Sequence, residues 1–181
     1  MLHTSLTKSA RWLLPMLAIA LSGCGLTQSV SDGTKSAFSA VFYKKIKVLH
    51  LDFTAREALN TDARENNALS QSVVLRIYQL KDIKTFDSSV YQQLLNEGET
   101  TLGGDLLATR DVVLKPGGDV SLNMAMEDDA KYVAVAGLFR DPDTVKNTWK
   151  LTIDREALDP DEARVIEAGS HYLQLLPPKD D

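Results

Sequence analysis

Few residues in this 181-residue chain can do chemistry, and the first to account for is its only cysteine, Cys24. A disulfide needs two thiols. A structural zinc site needs several Cys or His ligands, and nothing near this position supplies them. The three histidines are His3, His50 and His171. His50 and His171 each fall in a stretch that reads as strand, without HExxH, paired-histidine or Cys–His spacing. Both read as surface or edge histidines. No GxSxG elbow precedes a helix. "LGGDLL" (102–107) and "KPGG" (115–118) lack the strand, Gly-rich turn and helix that cradle phosphate. Asp141 and Asp143 flank Pro142, while Asp159, Asp161 and Glu162 surround Pro160. Either group could hold calcium only weakly, neither resembles a calcium-binding helix-loop-helix, and both read as solvated turns. The residues therefore predict no catalytic side chain, no metal site and no cofactor.

The thiol finds its chemistry in what precedes it. The opening carries Lys8 and Arg11 and no acid, followed by the apolar run WLLPMLAIAL (12–21). Ten residues are too short to span a bilayer, which needs about 20, but suit a signal peptide core of about 7–15. Pro15 would break a buried helix near its middle. Leu21, Ser22, Gly23 and Cys24 resemble the lipobox of bacterial lipoproteins. That resemblance implies diacylglycerol on the Cys24 thiol, removal of residues 1–23 and acylation of the new amine. Two or more chains hold a protein firmly on a membrane, whereas one binds marginally. Gly25 follows, not the aspartate that would resemble an inner-membrane retention signal, so the expected destination is the outer membrane.

Cleavage would leave 158 residues, with 18 Lys and Arg after loss of Lys8 and Arg11, against 25 Asp and Glu, a net charge of −7. The length suits a domain with a sizeable core. The acidity argues against nucleic acid, which wants clustered Lys and Arg. Residues 24–44 read as a lipidated N-terminus and tether, rich in Ser, Gly and Thr in its first half. Residues 45–177 read as the periplasmic domain and 178–181 as a polar tail.

The elements that would position any site alternate with period two. Leu49, Leu51 and Phe53 oppose His50 and Asp52; Val120, Leu122, Met124 and Met126 oppose Ser121 and Asn123; Trp149, Leu151 and Ile153 oppose Lys150, Thr152 and Asp154. One dry face and one wet face mark antiparallel sheet. "SVVLRIYQL" (72–80) and "YVAVAGLF" (132–139) are apolar on both faces and read as central strands. "RDVVLK" and "SHYLQLL" add strands, "ARVIEA" reads as a short extra one, and "PGG" as a tight turn joining two strands. One helix is expected in "TFDSSVYQQLLNEG", capped by Thr85 or Asp87 and stopped at Gly98. The fold class is all-β, a two-sheet antiparallel sandwich with one inserted helical element. Leu51, Leu75, Ile77, Leu122, Val135 and Trp149 are the expected core.

Between the first two strands lies "TAREALNTDARENNALSQ" (54–71), far longer than the two to five residues a hairpin needs. Such a connection is either a solvent-exposed insert or a binding loop, and spacing does not choose.

"VVLRIYQLKD" (73–82), "FDSSVYQQLL" (86–95), "LGGDLL", "LKPGG" and "YVAVAGLFRDPDTVKNTWK" (132–150), in this order and spacing, resemble the outer-membrane lipoproteins of type VI secretion, the TssJ (SciN, VasD) family. The resemblance implies a transthyretin-like sandwich and a non-enzymatic role. It also implies a lipid-anchored domain facing the periplasm and bound to the C-terminal periplasmic region of TssM, which pairs with TssL. In that family the loop between strands one and two contributes to the TssM contact, here residues 55–71. Within it Arg56, Glu57, Arg64 and Glu65 can supply charge complementarity, Leu59 and Leu69 apolar contacts, and Asn60 completes the candidate set. The alternative is a lipid-anchored carbohydrate-binding or hydrolytic sandwich, which would need a cleft with facing carboxylates at His50 or His171.

Overall fold

The structure, a computed structural model, describes residues 46–62, 64–65 and 69–178. Cys24, the lipobox and the tether lie outside the described residues. Among the described residues eight strands form two four-stranded sheets. In the first, β1 (Val48–Ala55) lies between β4 (Asp119–Ala125) and β7 (Arg164–Ala168), with β8 (Leu173–Leu175) at the edge. The second runs β3 (Leu106–Leu114), β2 (Val73–Leu80), β5 (Tyr132–Gly137), β6 (Lys150–Asp154). The alternation predicted the wet and dry faces correctly. Leu49, Leu51 and Phe53 are buried, as are Leu75, Ile77, Val133, Val135 and Ile153 of the second sheet. All six expected core residues are buried. Gln79 is the polar exception: its Nε2 donates to the Ala125 carbonyl at 2.8 Å and its Oε1 accepts the Glu127 amide at 2.7 Å. Every polar atom of that buried amide oxygen and nitrogen thus meets the other sheet's chain, as burial requires.

Two features depart from the local pattern. β1 pairs antiparallel with β4 but parallel with β7, Phe53 opposite Ile166. The "extra" strand ARVIEA is therefore interior to its sheet. The PGG turn does not close a hairpin within one sheet, because β3 and β4 belong to different sheets. It is still tight: Gly117 has φ +64° and the Gly118 amide donates to the Lys115 carbonyl at 3.0 Å.

The helical insert is also two pieces, α1 (Lys84–Ser88) and α2 (Tyr91–Leu102). Ser89 and Val90 are extended and break the chain between them. Neither Thr85 nor Asp87 caps a helix start; the Asp82 carboxylate accepts the Lys84 amide at 2.9 Å. Gly98 does not end α2, which runs on to Leu102 and is closed by Gly103 at φ +49°, with a kink at Glu97. Gly98 is a packing glycine, since a Cβ there would meet the Tyr78 hydroxyl. The pair lies on the outer face of the second sheet. Phe86 sits edge-on to Tyr78 at 5.9 Å and Tyr91 to Trp149 at 5.0 Å. That cover explains why β2 and β5 are apolar on both sides. Lys150 fastens it: Nζ donates to the carbonyls of Phe86, Asp87 and Ser89 at 2.8, 2.8 and 2.9 Å, a cation at a helix C-terminus. Burial lowers its pKa.

The Tyr91 hydroxyl donates to the Phe139 carbonyl, and burial pushes its pKa up to about 12. Its folded value is raised, so its contribution is complete below the unfolded value of 10.0 and is lost as pH rises through about 12. The urea midpoint of the wild type should fall more steeply across that interval than that of Tyr91→Phe. Parallel curves would assign the alkaline loss to other groups.

Candidate partner-binding surface

The described parts of all four connectors between odd and following even strands meet at one end of the sandwich: residues 56–72, 115–118, 138–149 and 169–172. They are stitched by backbone. The Ala55 amide donates to Gly118 and the Arg56 amide to Ala168, each at 2.9 Å; the Asn60 amide reaches Gly169 at 3.3 Å, and Leu173 reaches Thr148 at 2.7 Å. The long connection is thus not an overgrown hairpin. It carries the chain from one sheet to the other and packs over the open end between them.

This changes the roles of two candidate residues. Leu59 is fully buried in the core and Asn60 is 3% exposed. Asn60 takes φ +48°, which asparagine tolerates better than most residues, and spends its amide inside. Its Nδ2 donates to the Ser72 carbonyl and its Oδ1 accepts the Arg140 amide, both at 2.8 Å. With the Gln71 amide on the Leu59 carbonyl at 3.0 Å, the loop is pinched at its base. Leu59 and Asn60 hold the loop and do not offer a surface. Periodicity missed them because a loop has none.

The exposed lobe beyond the pinch carries Arg64, Glu65 and Leu69, while Arg56 and Glu57 precede it, just after the end of β1. Arg64 grips Asp62 through Nε and Nη2 at 2.9 and 2.8 Å and lies 3.6 Å from Asp141. The Arg64 side chain and amide hold the Asp62 carboxyl at about 2. Arg140 pairs with Glu65. Arg56 reaches Glu167 of β7 at 2.8 Å, and Glu57 is exposed beside Gly117. Leu69 is 65% exposed. The β5–β6 loop holds Arg140 and Asp141, and its Asp141–Pro142–Asp143 segment is the solvated turn expected from the sequence. Asp143 folds it: its carboxylate accepts the amides of Lys146 and Val145 at 3.0 and 3.1 Å and the Thr148 hydroxyl at 3.2 Å, which lower its pKa.

The two histidines stay apart from one another. His50, on the outer face of the first sheet, shares a 2.5 Å hydrogen bond between Nδ1 and Asn123 Oδ1. His171 lies in the β7–β8 turn, not in a strand, exposed and edge-on to Tyr172. A cavity of about 330 Å³ near β1 is lined by Asp52, Glu156, Asp159, Glu162 and Arg164, among others, and by neither histidine. Three of its polar side chains are engaged locally. Asp52 accepts the Ser121 hydroxyl at 2.6 Å, Asp159 accepts the amides of Asp161 and Glu162 at 2.8 and 3.1 Å, and Arg164 donates to the Ala157 carbonyl at 2.9 Å. Among the described residues no three His, Cys, Asp or Glu gather as a metal site.

The architecture is that of a two-sheet sandwich with a helical pair on one face and a cross-linked loop end. Residues 47–171 match the family described as Type VI secretion lipoprotein, VasD, EvfM, TssJ, VC_A0113, and the chain belongs to that family. A chain in the structure described as "T6SS protein TssM C-terminal domain (869-1107) from EAEC" is 48% identical, with TM-score 0.66, covering 73% of this chain and 99% of that one. A chain of a "Type VI membrane complex" is also 48% identical, with TM-score 0.68 and the same coverage. The T6SS lipoprotein TssJ1 from Pseudomonas aeruginosa, 22% identical over 75% of this chain and 99% of that one, shares the fold with TM-score 0.62. Comparison with curated proteins returns no match.

Proposed function

We propose that this chain is the lipid-anchored outer-membrane subunit of a type VI secretion membrane complex. In this reading Cys24 carries the lipid, the sandwich faces the periplasm, and its connector end binds the C-terminal periplasmic region of TssM, and through it TssL. Its role is to hold and not to catalyse. The observation that carries the reading is the 48% identity, over 99% of its length, to a chain in a structure described by the TssM C-terminal domain. The cross-linked loop end supports it physically, because a surface already ordered loses less entropy on docking.

The test is binding of the full-length lipoprotein in detergent to a soluble TssM C-terminal fragment by calorimetry. A second protein has residues 61–70 replaced by a short Gly-Ser turn, keeping Leu59, Asn60 and Gln71. The expected result is wild-type binding weakened at least about tenfold in the shortened protein, with its melting temperature nearly preserved. Absence of wild-type binding would refute the partner; equal affinity in a stable shortened protein would move the contact off this lobe.

A further inference from the structure

We propose that the β5–β6 loop forms a second half of the TssM-docking surface, with Val145 as its apolar anchor; this rests on the partner reading above. Val145 is 91% exposed, the most exposed large apolar side chain among the described residues. A single exposed valine is ordinary on a protein surface. This one has company. Leu69, 65% exposed, stands on the neighbouring lobe, and Val113, 55% exposed, is the next-to-last residue of β3 before the Lys115 turn. Three of the five large apolar side chains exposed among the described residues therefore cluster at or near the connector end.

The loop also presents Val145 in a set conformation. Asp143 accepts the Val145 amide itself, its own amide donates to the His171 carbonyl at 3.3 Å, and Asn147, at φ +54°, accepts the Trp149 indole N–H at 3.3 Å. A valine has few rotamers to lose, so docking such a tip sacrifices little conformational freedom. The surface is continuous with the β1–β2 lobe. Arg140 joins the two loops through Glu65 and the Asn60 side chain, and Arg64 approaches Asp141. That continuity makes the lobe's partner the occupant. Part of the charged rim is already paired within the chain, Arg56 with Glu167, Arg64 with Asp62 and Arg140 with Glu65. The partner therefore meets apolar tips inside a partly neutralised rim, and salt should change its affinity only modestly.

Calorimetry of the full-length lipoprotein in detergent against the soluble TssM C-terminal fragment tests this with Val145→Asp and Val145→Ala. An exposed side chain should leave the melting temperature unchanged. The expected result is a dissociation constant raised about tenfold or more by Val145→Asp and less by Val145→Ala, with wild-type affinity changing under about threefold between 50 and 300 mM salt. Wild-type binding with Val145→Asp within about twofold would overturn the proposal while leaving the partner reading intact. Loss of self-association, seen by light scattering, without loss of TssM affinity would overturn it in favour of a second copy. Failure of the wild type to bind TssM would overturn both readings together.

Discussion

Arg155→Met should destabilise the domain by about 3–5 kcal/mol, the largest stability effect of any single substitution considered. Arg155 stands in the short 3-10 turn after β6, only 3% exposed. Its Nη1 donates to the carbonyls of Glu127, Asp128 and Ala130 at 2.8, 3.1 and 2.8 Å, and its Nη2 to Ile46 at 3.0 Å. One guanidinium thereby binds the turn between β4 and β5 to the chain just before β1. Methionine fills similar space but donates nothing, leaving carbonyls buried without those partners. Lysine should recover only part, because one ammonium cannot reproduce the planar fork. Urea unfolding measures the loss, and amide exchange should accelerate first at residues 127–131. A change below about 1 kcal/mol would mean that water replaces the guanidinium at no net loss.

Cys24→Ser should move the protein from the membrane fraction to the soluble fraction almost completely, with its melting curve unchanged. Among the described residues no helix is long and apolar enough to cross a membrane. The largest apolar faces of the sheets are turned inward or covered by α1 and α2. Acyl chains at Cys24 would then carry the attachment, and each buried CH₂ contributes about 0.8 kcal/mol. Labelling cells with radioactive palmitate and separating membranes reads both quantities. Equal label in wild type and variant would refute lipidation at Cys24, and retention of an unlabelled variant would point to attachment through a partner. Secretion should fail in the released variant, because the proposed membrane complex would lose this lipid anchor.

The amino-acid sequence by itself determined which side of each strand is wet. Leu49, Leu51 and Phe53 alternate with His50 and Asp52, and water sorts such a strand whatever its neighbours are. It likewise determined that β2 and β5 lie inside, because residues apolar on both faces need cover on both. The family motifs were legible too, since they depend on order and spacing along the chain. Only the tertiary structure decided which strands touch. β1 meets β7 in parallel across a long stretch of sequence, and a period-two pattern carries no information about the direction or identity of a partner strand. The break at Ser89 and Val90 and the role of Gly98 were likewise settled by what lies beneath the helices. Leu59 and Asn60 stand in a polar, aperiodic stretch, yet they are buried because that stretch crosses the open end between two sheets. Arg155 shows the same limit. A charged residue after a strand reads as solvated, and it becomes a core fastening because carbonyls from distant turns converge on it.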